Sequence, residues 1–132
     1  MSQENVEVMR AAIAAFNRRD GEGFGAFLAD DAEIVPVRAA LEGTVYRGRT
    51  AATQYCAAVE NSWENLTWEV EEIRDGDNWV LALGRIHGRG RGSGAAIDAK
   101  GAWLARFTDG LVTNFRTYPD RREALKAMGL EE

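Results

Sequence analysis

The stretch Leu66-Thr67-Trp68-Glu69-Val70-Glu71-Glu72-Ile73-Arg74, followed by Asp75-Gly76-Asp77-Asn78 and then Trp79-Val80-Leu81-Ala82-Leu83-Gly84, is where the chain changes period. Before it, apolar residues recur at helical spacing; after it, they alternate. Alternation sends successive side chains to opposite faces of a strand, whereas a period near 3.6 marks an amphipathic helix. Turn signals at Asp75-Gly76-Asp77-Asn78, Ser93-Gly94 and Asp109-Gly110 divide the remainder into four strands, expected at 66–74, 79–91, 96–107 and 111–118. The second half therefore reads as an antiparallel meander.

Working back from Leu66, the stripe Val6, Met9, Ile13 and Phe16 predicts a helix over 4–17, with Ser2 available as its cap. After Asp20-Gly21, Phe24, Phe27 and Leu28 form a second, short helical stripe stopped before Asp30-Asp31. Ala32 to Val35 reads as a short strand ended by Pro36, residues 37–44 as a loop, and Val45-Tyr46-Arg47 as a brief edge strand. A third helix is expected over about 50–62, with Ala52, Tyr55, Val59 and Trp63 facing inward. Working forward, Pro119-Asp120 ends the last strand, and a final helical turn or two through Leu125 and Met128 stops at Gly129. Helices gathered first and strands last imply an α+β class, with a curved antiparallel sheet wrapped around N-terminal helices.

The 132 residues amount to one domain, 1–132, large enough to enclose a single core and a small-molecule cavity. A net charge of -5 argues against a nucleic-acid partner, which a basic surface would have to hold. Cys56 is the sole cysteine, so neither an intramolecular disulfide nor a cysteine-built metal cluster is expected. The N-terminus lacks the basic start and apolar run of a signal peptide, and no stretch has the roughly 20 apolar residues of a membrane span. A cytoplasmic protein without a membrane partner is the expectation.

Register decides which side chains share a face of the meander. With Ser93-Gly94 as a two-residue turn, Gly84 falls opposite Trp103, Ala82 opposite Ala105 and Val80 opposite Phe107. With Thr108-Asp109-Gly110 as a three-residue loop, Leu111 falls opposite Phe107 and Phe115 opposite Trp103. One face then gathers aromatic rings and small residues, and is assigned to the helices and an internal cavity. The other carries Leu81, Leu83, Leu104 and Val112 at its centre and Arg85 and His87 at its margin. Helices can cover only one side, so the expected partner for this outer face is a second copy of the chain, through Leu81, Leu83, Leu104 and Val112.

The segments Ala14-Ala15-Phe16-Asn17-Arg18-Arg19-Asp20 and Phe27-Leu28-Ala29-Asp30-Asp31-Ala32-Glu33 resemble the opening of the nuclear transport factor 2-like superfamily. Tyr46-Arg47-Gly48, Arg106-Phe107-Thr108-Asp109-Gly110 and Arg116-Thr117-Tyr118 extend the likeness over nearly the whole chain, nearest to the SnoaL-like branch of small bacterial proteins. The resemblance implies a cone-shaped α+β barrel with a pocket at its wide end, and dimers are common. It implies no single activity, because isomerases, cyclases, hydrolases, dehydratases and proteins without known activity share the scaffold. A ketosteroid isomerase of this fold uses an aspartate base, a tyrosine and a protonated aspartic acid. Aligned through the motifs above, those roles fall at Pro36, Ala12 and Trp103, so that mechanism is not expected here.

The residues expected to touch a ligand are Phe16, Tyr55, Trp63, Trp68, Gly84, Trp103 and Phe115. They describe an apolar cavity for a ring-shaped organic molecule, or simply a core. Gly84 facing Trp103 is read as the source of empty space. The acid–base candidates are Glu33, Tyr46, Glu72 and His87: Glu33 and Tyr46 at the cavity mouth, Glu72 on the strand parity of Trp68, and His87 as the sole histidine. Arg85, Arg89 and Arg91 fit either an anion site or a solvated, aggregation-resistant hairpin. Neither a metal nor a cofactor is expected, since no ligand spacing or nucleotide-binding loop occurs. Two classes remain: a cofactor-independent isomerase, cyclase, dehydratase or hydrolase, and a non-catalytic ligand-binding or dimerisation module.

Overall fold

A computed structural model describes residues 2–36, 45–48 and 50–130; the loop expected over 37–44 lies outside the described residues. Helix α1 (Ser2–Asn17) turns Met9, Ala12, Ile13 and Phe16 inward, the face set by their spacing. Its chain reverses at Arg19, whose φ is +56°. Asp20 then accepts a hydrogen bond from Gly23 N at 2.9 Å and caps α2 (Gly21–Gly25), one turn that buries Phe24. Strand β1 (Leu28–Val35) starts earlier than its sequence suggests, because Leu28 joins the sheet and the exposed Asp30-Asp31 lie within the strand. Strand β2 (Tyr46–Arg47) is short, and α3 (Ala51–Ser62) runs directly into β3 (Trp63–Asp75).

The meander continues through β4 (Trp79–Gly90), β5 (Ala96–Thr108) and β6 (Leu111–Tyr118), and the chain closes with α4 (Arg121–Ala127). The six strands form one curved, unclosed sheet in the order β2-β1-β6-β5-β4-β3. The pairs are antiparallel except for β1 with β6, which is parallel. Helices α1, α2 and α3 cover the inner face, and their residues share one core with Trp68, Ala82, Trp103, Ala105 and Phe115.

Both hairpins correct the expected register. The β4–β5 loop has Gly94 in the left-handed region, with Gly94 N donating to Gly90 O at 2.8 Å. This longer loop pairs Ala82 with Trp103 and Gly84 with Gly101, a shift of two residues that leaves every side chain on its expected face. Asp109 and Gly110, both at positive φ, form a two-residue turn, and a bulge follows in β6. The shorter turn pairs Val112 with Phe107 and buries it on the inner face, and the bulge beyond Val112 returns Phe115 to that same face, opposite Ala105, with Trp103 opposite Thr117.

The outer face also differs from expectation. Leu81, Leu83 and Leu104 are 0–1% exposed within the single chain, because Ala124 and Leu125 of α4 pack on them together with Trp79, Tyr118 and Met128. The chain's own last helix supplies the second cover. These three leucines and Val112 are thus not open to a second copy.

Candidate functional site: the inner aromatic face

Trp68 lies at the centre of the inner face. Its ring stacks on Phe16 at 3.6 Å, lies 5.8 Å from and nearly parallel to Phe115, and sits 4.9 Å from Trp103. Phe24 meets Phe115 edge-on at 5.2 Å. Rings at these separations leave no slot between them, so Phe16, Trp68 and Phe115 are packed core. From this stack a line of rings leads outward: Phe16 to Tyr55 at 5.5 Å, then Tyr55 to the half-buried Tyr46 at 5.6 Å. Trp63 takes no part in the stack; it begins β3 opposite Gly90.

Polar atoms meet the apolar surface where β5 and β6 face each other near their ends. Trp103 Nε1 is buried and lacks a hydrogen-bond partner, and Thr117 Oγ1, also buried, has the Tyr55 phenol as its neighbour. Trp103 and Thr117 face each other across the β5–β6 ladder, which brings their side chains together on one face. β6 ends at Tyr118, opposite Ala102, so this pair stands where the inner face of β5 runs past its neighbour. Burial pushes the Tyr55 phenol far above its ordinary range, and a side-chain hydrogen bond with Thr117 is the strongest influence in the opposite direction. Burial likewise pushes the Cys56 thiol up. Thr117 and the indole edge of Trp103 are features that sequence reasoning missed. The signal for Thr117 was its parity with Phe115, masked by attention to larger side chains.

Gly84 does not leave empty space. A Cβ built there would overlap the Glu69 carbonyl oxygen and come within 3.1 Å of Val70 Cα. At Gly88 it would meet Leu66 Cα at 2.9 Å. The bare face of β4 is therefore occupied by the main chain of β3, which bends across it; the glycines permit curvature. Gly101 makes room for Ile86, whose Cδ1 a Cβ would meet at 2.9 Å, while Trp103 Cζ2 at 3.7 Å lies in ordinary contact.

Three of the four acid–base candidates face away from this site. Glu33 is paired with Arg47 at 2.7 Å. A bulge between Val70 and Glu72 turns Glu72 to the outer face, opposite Leu83, where it accepts from Arg74 at 2.8 Å and Arg121 at 2.9 Å. Those hydrogen bonds lower its pKa, the reverse of the expected shift. His87 lies 3.5 Å from Glu69 on the outer face. Tyr46 alone adjoins the inner rings.

The arginines of β4 and its hairpin are likewise engaged. Arg85 meets Asp98 at 2.9 Å. Arg89 donates to Gly94 O, and Arg91 holds Glu60 at 2.7 Å, tying the hairpin to the end of α3. Among the described residues no helix is long and apolar enough to cross a membrane.

A SnoaL-like domain model matches residues 9–115. The chain belongs to the SnoaL-like family. Solved structures agree on the fold: an NTF2-like protein of unknown function from Burkholderia pseudomallei is 22% identical, with a TM-score of 0.79 over 96% of this chain and 97% of that one. A protein from Catenulispora acidiphila with a ketosteroid isomerase-like fold, in complex with trimethylamine, is 20% identical, with a TM-score of 0.77 over 95% and 94%. A structure from Xanthomonas campestris named as a candidate polyketide cyclase is 22% identical, with a TM-score of 0.77 over 95% and 96%. No curated protein matches this SnoaL-like chain.

Proposed function

We propose that this SnoaL-like domain is a ligand-binding module that holds a small, mainly apolar ring molecule at the Tyr46, Tyr55, Trp103 and Thr117 end of its inner face. One observation carries the reading: the ring line that starts in the packed core at Trp68 continues through Tyr55 to half-buried Tyr46. Aromatic walls of this kind recognise flat apolar molecules through area and stacking. The candidate polyketide cyclase among the similar structures fits a ring-shaped ligand. Glu33 and Glu72 face outward in ion pairs and His87 lies outward beside Glu69, which favours binding over acid–base turnover by those groups.

The test is a calorimetric titration with 2-ethylnaphthalene, comparing wild type with Tyr46→Ala. The reading expects saturable one-site binding, weakened about fivefold by the substitution, since one aromatic contact is worth on the order of 1 kcal/mol. Absence of saturable binding, or equal affinity in the variant, overturns it.

A further inference from the structure

β5 outruns its neighbour β6 and leaves an open margin in the middle of the sheet. β6 ends at Tyr118, opposite Ala102, whereas β5 begins at Ala96. In an antiparallel strand, alternate residues turn both main-chain groups to the same side. Phe107 N donates toward β4, to Asn78 O, and Arg106 O faces β6, where it accepts from Thr113 Oγ1. The same alternation turns the main chain of Lys100 and Asp98 away from β4, toward the place that β6 has left. Among the described residues no strand pairs with them there. The margin opens instead on a cleft of about 420 Å³, with Ala99 and Lys100 on one side and Pro119 to Arg122 on the other.

The cleft is basic although the chain carries a net charge of -5. Lys100, Arg121 and Arg122 line it against the carboxylate of Asp120, which is turned to its own helix and accepts from Arg122 N at 2.8 Å. Asp98 does not neutralise Lys100, because Arg85 holds it at 2.9 Å. Strand parity puts Lys100 on the outer face with Ala102, and there Arg121 is steadied by Glu72 at 2.9 Å. Ala99 shares the inner face with Trp103. An added strand takes affinity from main-chain hydrogen bonds and specificity from its alternate side chains. A compact anion would use the cations and leave the margin unpaired, and a neutral strand would do the reverse; an acidic strand uses both. We propose that this margin of β5 receives an extended acidic segment of a partner protein, added as a further strand. Its main chain pairs with Lys100 and Asp98, its carboxylates lie beside Lys100 and Arg121 on the outer face, and small apolar side chains lie beside Ala99. This surface is separate from the inner-face site proposed above, and neither depends on the other.

The test is fluorescence anisotropy with a short fluorescein-labelled peptide of alternating glutamate and valine. Two controls accompany it: the same peptide N-methylated at every main-chain nitrogen, and one with lysine in place of glutamate. The proposal expects saturable binding of the first and at least about tenfold weaker binding of each control. Lys100→Pro removes a main-chain N–H that serves no strand, so the fold should survive, as thermal unfolding reports, while peptide binding falls at least about tenfold. Lys100→Glu keeps that N–H and reverses the charge, with the same expected loss; it decides the matter alone if the proline variant does not fold. Equal binding of the N-methylated peptide would reduce the surface to a charge patch and overturn strand addition. No saturable binding, or binding that Lys100→Glu leaves unchanged, overturns the proposal. So does concentration-dependent self-association of the wild type that Lys100→Pro abolishes, because it gives the margin to a second copy of the chain.

Discussion

Asn17 and Trp68 exchange two hydrogen bonds: Asn17 Nδ2 donates to Trp68 O, and Trp68 N donates to Asn17 Oδ1, each at 2.9 Å. The last residue of α1 thus behaves as a neighbouring strand for one residue of β3. β3 is an edge strand, and such edges present unpaired main-chain groups that invite aggregation. Arg19 continues the closure by donating to Leu66 O. The same link holds the Trp68 ring against Phe16, so it builds the aromatic stack and guards the edge together.

Asn17→Ala removes both bonds and leaves the Trp68 main chain partly buried without partners. The expected loss is about 2 kcal/mol, near 1 kcal/mol per bond. Asn17→Asp keeps the acceptor for Trp68 N but sets a carboxylate against Trp68 O, so it should be at least as destabilising at neutral pH and recover as the carboxylate is protonated. Urea unfolding at neutral and acid pH checks both; an unchanged midpoint in either variant contradicts the role given to Asn17.

Gly84→Ala should cost about 3 kcal/mol or more, because the new methyl overlaps the main chain of Glu69, which cannot rotate away. Gly92→Ala meets nothing within 4 Å and should be within about 0.5 kcal/mol of wild type. Comparing the two by thermal unfolding separates curvature from cavity. If Gly84 framed empty space, its alanine variant would be as mild as that of Gly92.

Leu125→Ala uncovers the leucines of the outer sheet face and should cost about 2–5 kcal/mol, the usual range for a buried leucine. It should also promote self-association, measurable by light scattering, because Leu81, Leu83 and Leu104 become exposed. A stable variant with unchanged solution mass would contradict the covering role of α4.

Burial raises the Tyr55 pKa above its ordinary value of 10, so its neutral form is the one the fold accommodates. Its contribution to stability is complete below pH 10 and is lost as pH climbs toward the raised value. Wild type should therefore lose stability in alkali more steeply than Tyr55→Phe, as read from urea midpoints below and above pH 10. Equal alkaline slopes would place Tyr55 in solvent.

The meander was legible because alternation survives any error in turn length that is a multiple of two. The β4–β5 loop is such a case: Ala82, rather than Gly84, meets Trp103, yet both remain on their expected face. Bulges were not legible, since an extra residue in a strand leaves no mark in an apolar pattern. One turned Glu72 outward and removed a candidate base, while a turn one residue shorter than expected took Val112 inward and a second bulge kept Phe115 there with it. The glycines of β4 announced missing side chains but not what fills the gap, because the approach of β3 is a long-range consequence of sheet coiling. Likewise α4 was visible as a helix, but nothing local in Leu125 or Met128 named the face it covers.

The most direct test of the central claim, that ligand binds at the Trp103 and Thr117 end of the inner face, is the indole N–H correlation spectrum recorded with and without saturating 2-ethylnaphthalene. Trp103→Phe identifies the Trp103 signal among the four tryptophans. The account predicts a large displacement of the Trp103 Nε1–H resonance and small changes at Trp63 and Trp79. A saturated complex in which Trp103 does not move, or in which Trp79 on the outer face moves most, would contradict it.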